Sequence, residues 1–92
     1  MDEQFELLRR RYQKRAGEQI LALNGALAAG DCGGAENIAH RLAGSGASFG
    51  FPQVSQLAER LELAANTGAD MANLRRLAEP LLAELRRIAQ GV

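Results

Sequence analysis

His40 is the side chain best suited by type to do chemistry, and it is the only histidine in 92 residues. It stands in the stretch Ala39-His40-Arg41-Leu42-Ala43-Gly44-Ser45-Gly46-Ala47-Ser48-Phe49-Gly50. An imidazole in water titrates near pH ~6.5, so at neutral pH it offers a ring-nitrogen lone pair for nucleophilic attack without a strong base. Around it, Ala35, Ile38, Ala39, Leu42, Ser45 and Phe49 recur at three- and four-residue steps, the stripe of a half-buried helix. His40 follows Ile38 by two positions, so a helix turns it about 200° away from that stripe, towards solvent. The same outer face carries Glu36 and Asn37 one turn earlier and Ala43, Gly44 and Ala47 later. The last three are small. A second protein can therefore come close to the ring, and these five residues with His40 form the candidate docking and transfer surface.

Other chemistries lack their residues. There is no Cys/His cluster with zinc spacing, no Gly-rich nucleotide loop and no Ser/His/Asp arrangement, so neither a metal nor a cofactor is expected. The single Cys32 cannot form an internal disulfide and has no obvious basic neighbour to activate it as a redox thiol.

The elements that must position His40 read as four helices. The first runs from about Asp2 to Ala29, with Phe5, Leu8, Tyr12, Ala16, Ile20, Leu23 and Leu27 as its core stripe. Asp2, Glu3 and Glu6 suit its N-terminal dipole. Gly17 costs roughly 1 kcal/mol of helix propensity, leaving open one long helix or two joined near Ala16-Gly17. Gly30 stops this segment and Asp31 caps the next. The helix carrying His40 then follows a loose turn at Cys32-Gly33-Gly34 and runs to about Ser48 or Phe49. Of its two late glycines, Gly44 on the outer face suits approach by a partner, and Gly46 suits close packing within the molecule. Gly50 and Pro52 punctuate, and Val54, Leu57, Ala58, Leu61, Ala64 and Ala65 line a third helix to Asn66. Asn66-Thr67-Gly68 is a turn, and Asp70 caps a fourth helix lined by Met71, Leu74, Leu77, Ala78, Leu81, Leu85, Ile88 and Ala89. Pro80 inside that pattern predicts a kink or a break just before it. All connections are short, so consecutive helices should be antiparallel neighbours in one small domain over residues 1–92.

Composition agrees with an all-α fold, since Ala and Leu dominate and β-branched residues are too scarce for several strands. Lys+Arg and Asp+Glu balance at 11 each, which argues against general nucleic-acid binding, because phosphate neutralisation needs a basic surplus. No stretch nears the ~20 apolar residues of a membrane span, and the N-terminus lacks a signal-peptide pattern, so the expectation is a cytoplasmic chain with no membrane partner.

His40-Arg41-Leu42-Ala43-Gly44-Ser45, followed by Phe49-Gly50 and then Leu57-Ala58-Glu59-Arg60-Leu61-Glu62, resembles the signature of histidine-containing phosphotransfer (HPt) domains. About 25 residues match in detail, and the helix layout fits the whole chain. The resemblance implies an antiparallel up-down four-helix bundle that takes a phosphoryl group from a receiver-domain aspartate on His40 and passes it on. It implies partners among the receiver domains of hybrid sensor kinases and response regulators, with the receiver supplying magnesium and most catalytic groups, so that the chain is a phosphocarrier and not an enzyme. One departure stands out: Ala43 occupies the position where the family most often has Lys. Arg41 and Arg60 are the candidates to supply the missing cation near the phosphate. The run Arg9-Arg10-Arg11-Tyr12-Gln13-Lys14-Arg15 is either the solvated face of the first helix or a basic rim that steers an acidic partner. Sensor-kinase dimerisation helices also present a phosphorylated histidine, but their usual acidic residue and proline are Arg41 and Ser45 here. A monomer is expected. The rival reading is a helical adaptor, or a homodimer whose seam is the small-residue face, with His40 incidental.

Overall fold

The computed structural model describes residues 3–91, and Asp2, read above as part of the first helical turn, lies outside them. Four helices follow one another: α1 (Glu3–Ala28), α2 (Cys32–Ser48), α3 (Pro52–Asn66) and α4 (Met71–Ala89). Each packs against its neighbours in sequence, and α4 closes the ring against α1, giving the expected antiparallel bundle. No strand occurs among the described residues.

The helix boundaries follow local chemistry. Asp31 accepts the Gly34 backbone N–H at 2.9 Å, and Asp70 accepts that of Asn73 at 2.9 Å, so both side chains cap the helices they precede. Pro52 opens α3, where a missing N–H costs nothing. Gly30, Gly50 and Gly68 take positive φ just past α1, α2 and α3, a conformation that an L side chain would strain. There the chain folds back through the bonds Asp31 N–H to Ala26 C=O (2.8 Å), Phe51 N–H to Gly46 C=O (2.8 Å) and Ala69 N–H to Ala64 C=O (3.0 Å).

One open alternative closes and two expectations need correction. Of the one helix or two left open at Gly17, α1 is one, continuous for 26 residues. No neighbour forces a break there, and the burial of Ala16 and Leu23 on either side offsets the weak propensity of glycine. Of the kink or break expected at Pro80, the break does not occur: α4 runs on through Pro80, which is exposed, so the Arg76 carbonyl deprived of its partner belongs to a solvent-facing turn. The stripe of α1 is only partly buried: Phe5 and Leu8 are 39% and 41% exposed. α1 is roughly 39 Å long at 1.5 Å per residue. The 17 residues of α2 span only about 25 Å, so the first turns of α1 overhang the bundle.

The core is built of Leu23, Leu42, Val54, Leu61, Leu74, Leu81, Leu85 and Ile88, interleaved with buried alanines at 16, 35, 39, 58 and 78. Leu82, absent from the sequence stripe, is also buried. Tyr12 closes the lower end, stacked between Phe49 (5.2 Å between centroids) and Phe51 (4.9 Å).

Candidate functional site

α2 is the element that presents His40, and its two flanks are held very differently. On the α3 side the backbones come close. A Cβ on Gly46 would stand 2.9 Å from the Ser55 nitrogen, 3.1 Å from the Phe51 oxygen and 3.1 Å from Val54 Cβ. Only glycine fits. One turn away, the Ser55 hydroxyl donates to the Ala43 carbonyl at 2.8 Å, pinning the middle of α2 to the start of α3.

This close approach brings Glu62 of α3 to the imidazole. His40 Nδ1 lies 2.7 Å from Glu62 Oε2, and the His40 side chain is 75% exposed. A carboxylate can only accept, so Nδ1–H is the donor. In the neutral ring the lone pair is then on Nε2, the nitrogen turned away from Glu62. The arrangement holds the ring by one nitrogen and leaves the other free to attack.

The sequence-predicted residues divide by flank. Asn37, Gly44 and Ala47 are exposed around His40, and a Cβ on Gly44 would meet nothing within 4 Å. Glu36 and Ala43 are half-buried on the α3 side, where Ala43 packs against the core and offers only its edge. Arg41 points about 100° round the helix from His40, to the α1 side, and lines a crevice of about 30 Å³ with Tyr12, Arg15, Ala16, Gln19, Leu42 and Ser45. Arg60 is not brought to His40. It lines the groove between α3 and α4 with Gln53, Gln56, Leu57, Pro80 and Glu84. It sits about 200° round α3 from Glu62.

The basic run of α1 does not form one rim, because consecutive helical residues point in different directions. The Arg9 guanidinium lies over the Phe51 ring, 4.9 Å from its centroid, whereas Arg10, Arg11, Lys14 and Arg15 are exposed. Below the crevice, the Tyr12 hydroxyl and Ser45 Oγ are 3.2 Å apart. Burial pushes the Tyr12 phenol above its ordinary value of 10.0, partly countered by the Ser45 hydrogen bond and by Arg15.

Glu62 ends the motif Leu57-Ala58-Glu59-Arg60-Leu61-Glu62, and the sequence reading assigns it no role. Its signal was positional: it and His40 stand nearly equally far from the Gly50 turn on either side. In an antiparallel hairpin that brings two residues level with each other, and a carboxylate level with an outward histidine is its natural partner.

A comparison with protein-family models matches residues 7–91 to the Hpt domain. The chain belongs to the Hpt domain family. Hpt domains serve histidine phosphotransfer in two-component signalling, act as phosphocarrier modules and interact with receiver domains of kinases or response regulators. Searches of curated proteins and of solved structures return no match to the chain. Among the described residues no helix is long and apolar enough to cross a membrane.

Proposed function

We propose that this Hpt domain is a phosphorelay intermediate that carries a phosphoryl group on His40 Nε2 between receiver-domain aspartates, as a cytoplasmic, monomeric single domain over residues 1–92. The observation that supports this reading best is the outward imidazole held through Nδ1 by Glu62 at 2.7 Å. The Nε2 lone pair attacks the phosphorus of an aspartyl phosphate. The N–P bond forms as the P–O bond of the mixed anhydride breaks, and the aspartate carboxylate leaves. The ring becomes a phospho-imidazolium that keeps its proton on Nδ1, and the Glu62 carboxylate stabilises that positive charge. In the onward step the N–P bond breaks, and the ring leaves as neutral imidazole with the same proton still in place. No proton has to be found or lost in either direction, which suits a carrier that must both load and unload. Because phosphoryl transfer depends mainly on positioning and charge neutralisation, the carrier needs an accessible nitrogen and a surface clear enough for docking. Asn37, Gly44 and Ala47, with the edges of Glu36 and Ala43, form that surface in this reading, and Arg41 is the nearer candidate cation.

The test is direct. A receiver domain phosphorylated on its aspartate should label the wild type with acid-labile, base-stable phosphate and should leave His40→Gln unlabelled. Label on another residue, or undiminished label on His40→Gln, refutes the assignment.

A further inference from the structure

The surface around His40 is electrically lopsided, and the lopsidedness follows the two flanks of α2. On the α3 side stand Glu62, bonded to the ring, the half-buried Glu36, and the exposed Glu59, one turn before Glu62 on the same face of α3. On the α1 side stand Arg41 and Arg15, which share the crevice, and Arg11, one turn before Arg15. Glu18, one turn beyond Arg15, offsets part of that charge and leaves the flank cationic. Residue 43, on the acidic side, is Ala and contributes no cation there.

An aspartyl phosphate carries about two negative charges of its own near neutral pH, whatever protein bears it. The Glu36–Glu59–Glu62 side repels it and the Arg11–Arg15–Arg41 side attracts it. Resting on the phosphocarrier reading above, we infer that the receiver docks in one orientation about His40, with its phosphoryl-bearing, anionic edge over the α1 flank, and that Arg15 and Arg41 supply from that side the countercharge that residue 43 does not. The exposure of both arginines fits this role. α2 is pinned to α3 by Ser55 and Gly46, whereas on the α1 side Arg15 and Arg41 stand exposed at the rim of the crevice, within reach of a docked partner.

The experiment measures transfer from an aspartyl-phosphorylated receiver domain to four proteins at ionic strengths from about 0.02 to 0.5 M. They are the wild type, the double variant Arg15→Glu/Arg41→Glu, the conservative double variant Arg15→Lys/Arg41→Lys, and Glu59→Lys. All the altered residues are exposed, and thermal unfolding of each variant checks that the bundle is intact. The double reversal should lower kcat/KM at least tenfold at low salt, mainly through KM, with the gap closing as salt rises. The lysine pair should keep most of the rate, and Glu59→Lys should raise it about threefold. A change of less than twofold on reversing both arginines, a loss that salt does not affect, or slower transfer in Glu59→Lys would overturn the orientation. Label that reaches His40→Gln equally well would overturn the phosphocarrier reading itself and the orientation with it.

Discussion

The α2–α3 pair and the α1–α4 pair are built on different terms. Where α2 meets α3 the contact is made by small groups: Gly46 against backbone, Ser55 on a carbonyl, Ala39 and Ala58 in the core. α4 instead brings bulk, with Leu74, Leu81, Leu82, Leu85 and Ile88 buried along it. The difference separates two tasks. Long aliphatic side chains supply most of the apolar burial, at roughly 25 cal/mol per Å², and tolerate small shifts. Small residues bring two backbones to a fixed distance, which sets the spacing between His40 and Glu62. α4 brings the larger share of bulky buried side chains, and the α2–α3 contact sets the geometry around His40.

The largest effect expected from breaking this contrast is on stability. Leu81→Ala, at a fully buried position of α4, should cost about 2–5 kcal/mol. Thermal unfolding measures that loss, and protein kept well below its lowered Tm should still accept phosphate at His40. Next come the two glycines of α2. Gly46→Ala forces a methyl against the Ser55 nitrogen and the Phe51 oxygen, backbone atoms that cannot rotate aside. It should cost about 1–3 kcal/mol and spread α2 from α3, weakening the His40–Glu62 bond as seen in the imidazole NMR signals. Gly44→Glu, two residues on the open side of it, should unfold like the wild type yet slow transfer about tenfold, because bulk and like charge stand where a partner docks. Unimpaired transfer would place the docking surface elsewhere.

The smallest effect concerns pH. The Tyr12 phenol titrates higher in the folded state than in the unfolded chain, since burial opposes its ionisation. Above about pH 10 the unfolded chain therefore releases a proton that the native state keeps, and stability falls as pH rises towards the folded value. Tyr12→Phe should lose about 1 kcal/mol at neutral pH with the Ser45 hydrogen bond and should lack that share of the alkaline decline. Denaturant melts at pH 8 and above pH 10 measure both.

Much of the fold was legible because its boundaries are set locally. Asp31 and Asp70 cap through their own side chains, Pro52 suits a helix start by its ring, and glycine at 30, 50 and 68 suits the backbone conformation found there. The outward direction of His40 followed from the period of α2 alone. What escaped depended on distances between elements. The exposure of Phe5 and Leu8 depends on how far α1 outreaches α2, and the continuity of α1 through Gly17 depends on its packing partners. Arg60 is a candidate cation by sequence because it stands on the helix that follows that of His40, yet α3 turns it towards α4. Glu62 shows the reverse: 22 positions from His40, it becomes its nearest polar partner once the hairpin folds.

The central claim is that Glu62 holds the Nδ1 proton and leaves Nε2 as the reacting atom. Nitrogen-15 and phosphorus-31 NMR of His40, before and after loading by a phosphorylated receiver, tests it most directly. A proton on Nδ1 in the free ring and phosphorus bonded to Nε2 after loading is the expected result; phosphorus on Nδ1, or a free ring protonated at Nε2 alone, would contradict it.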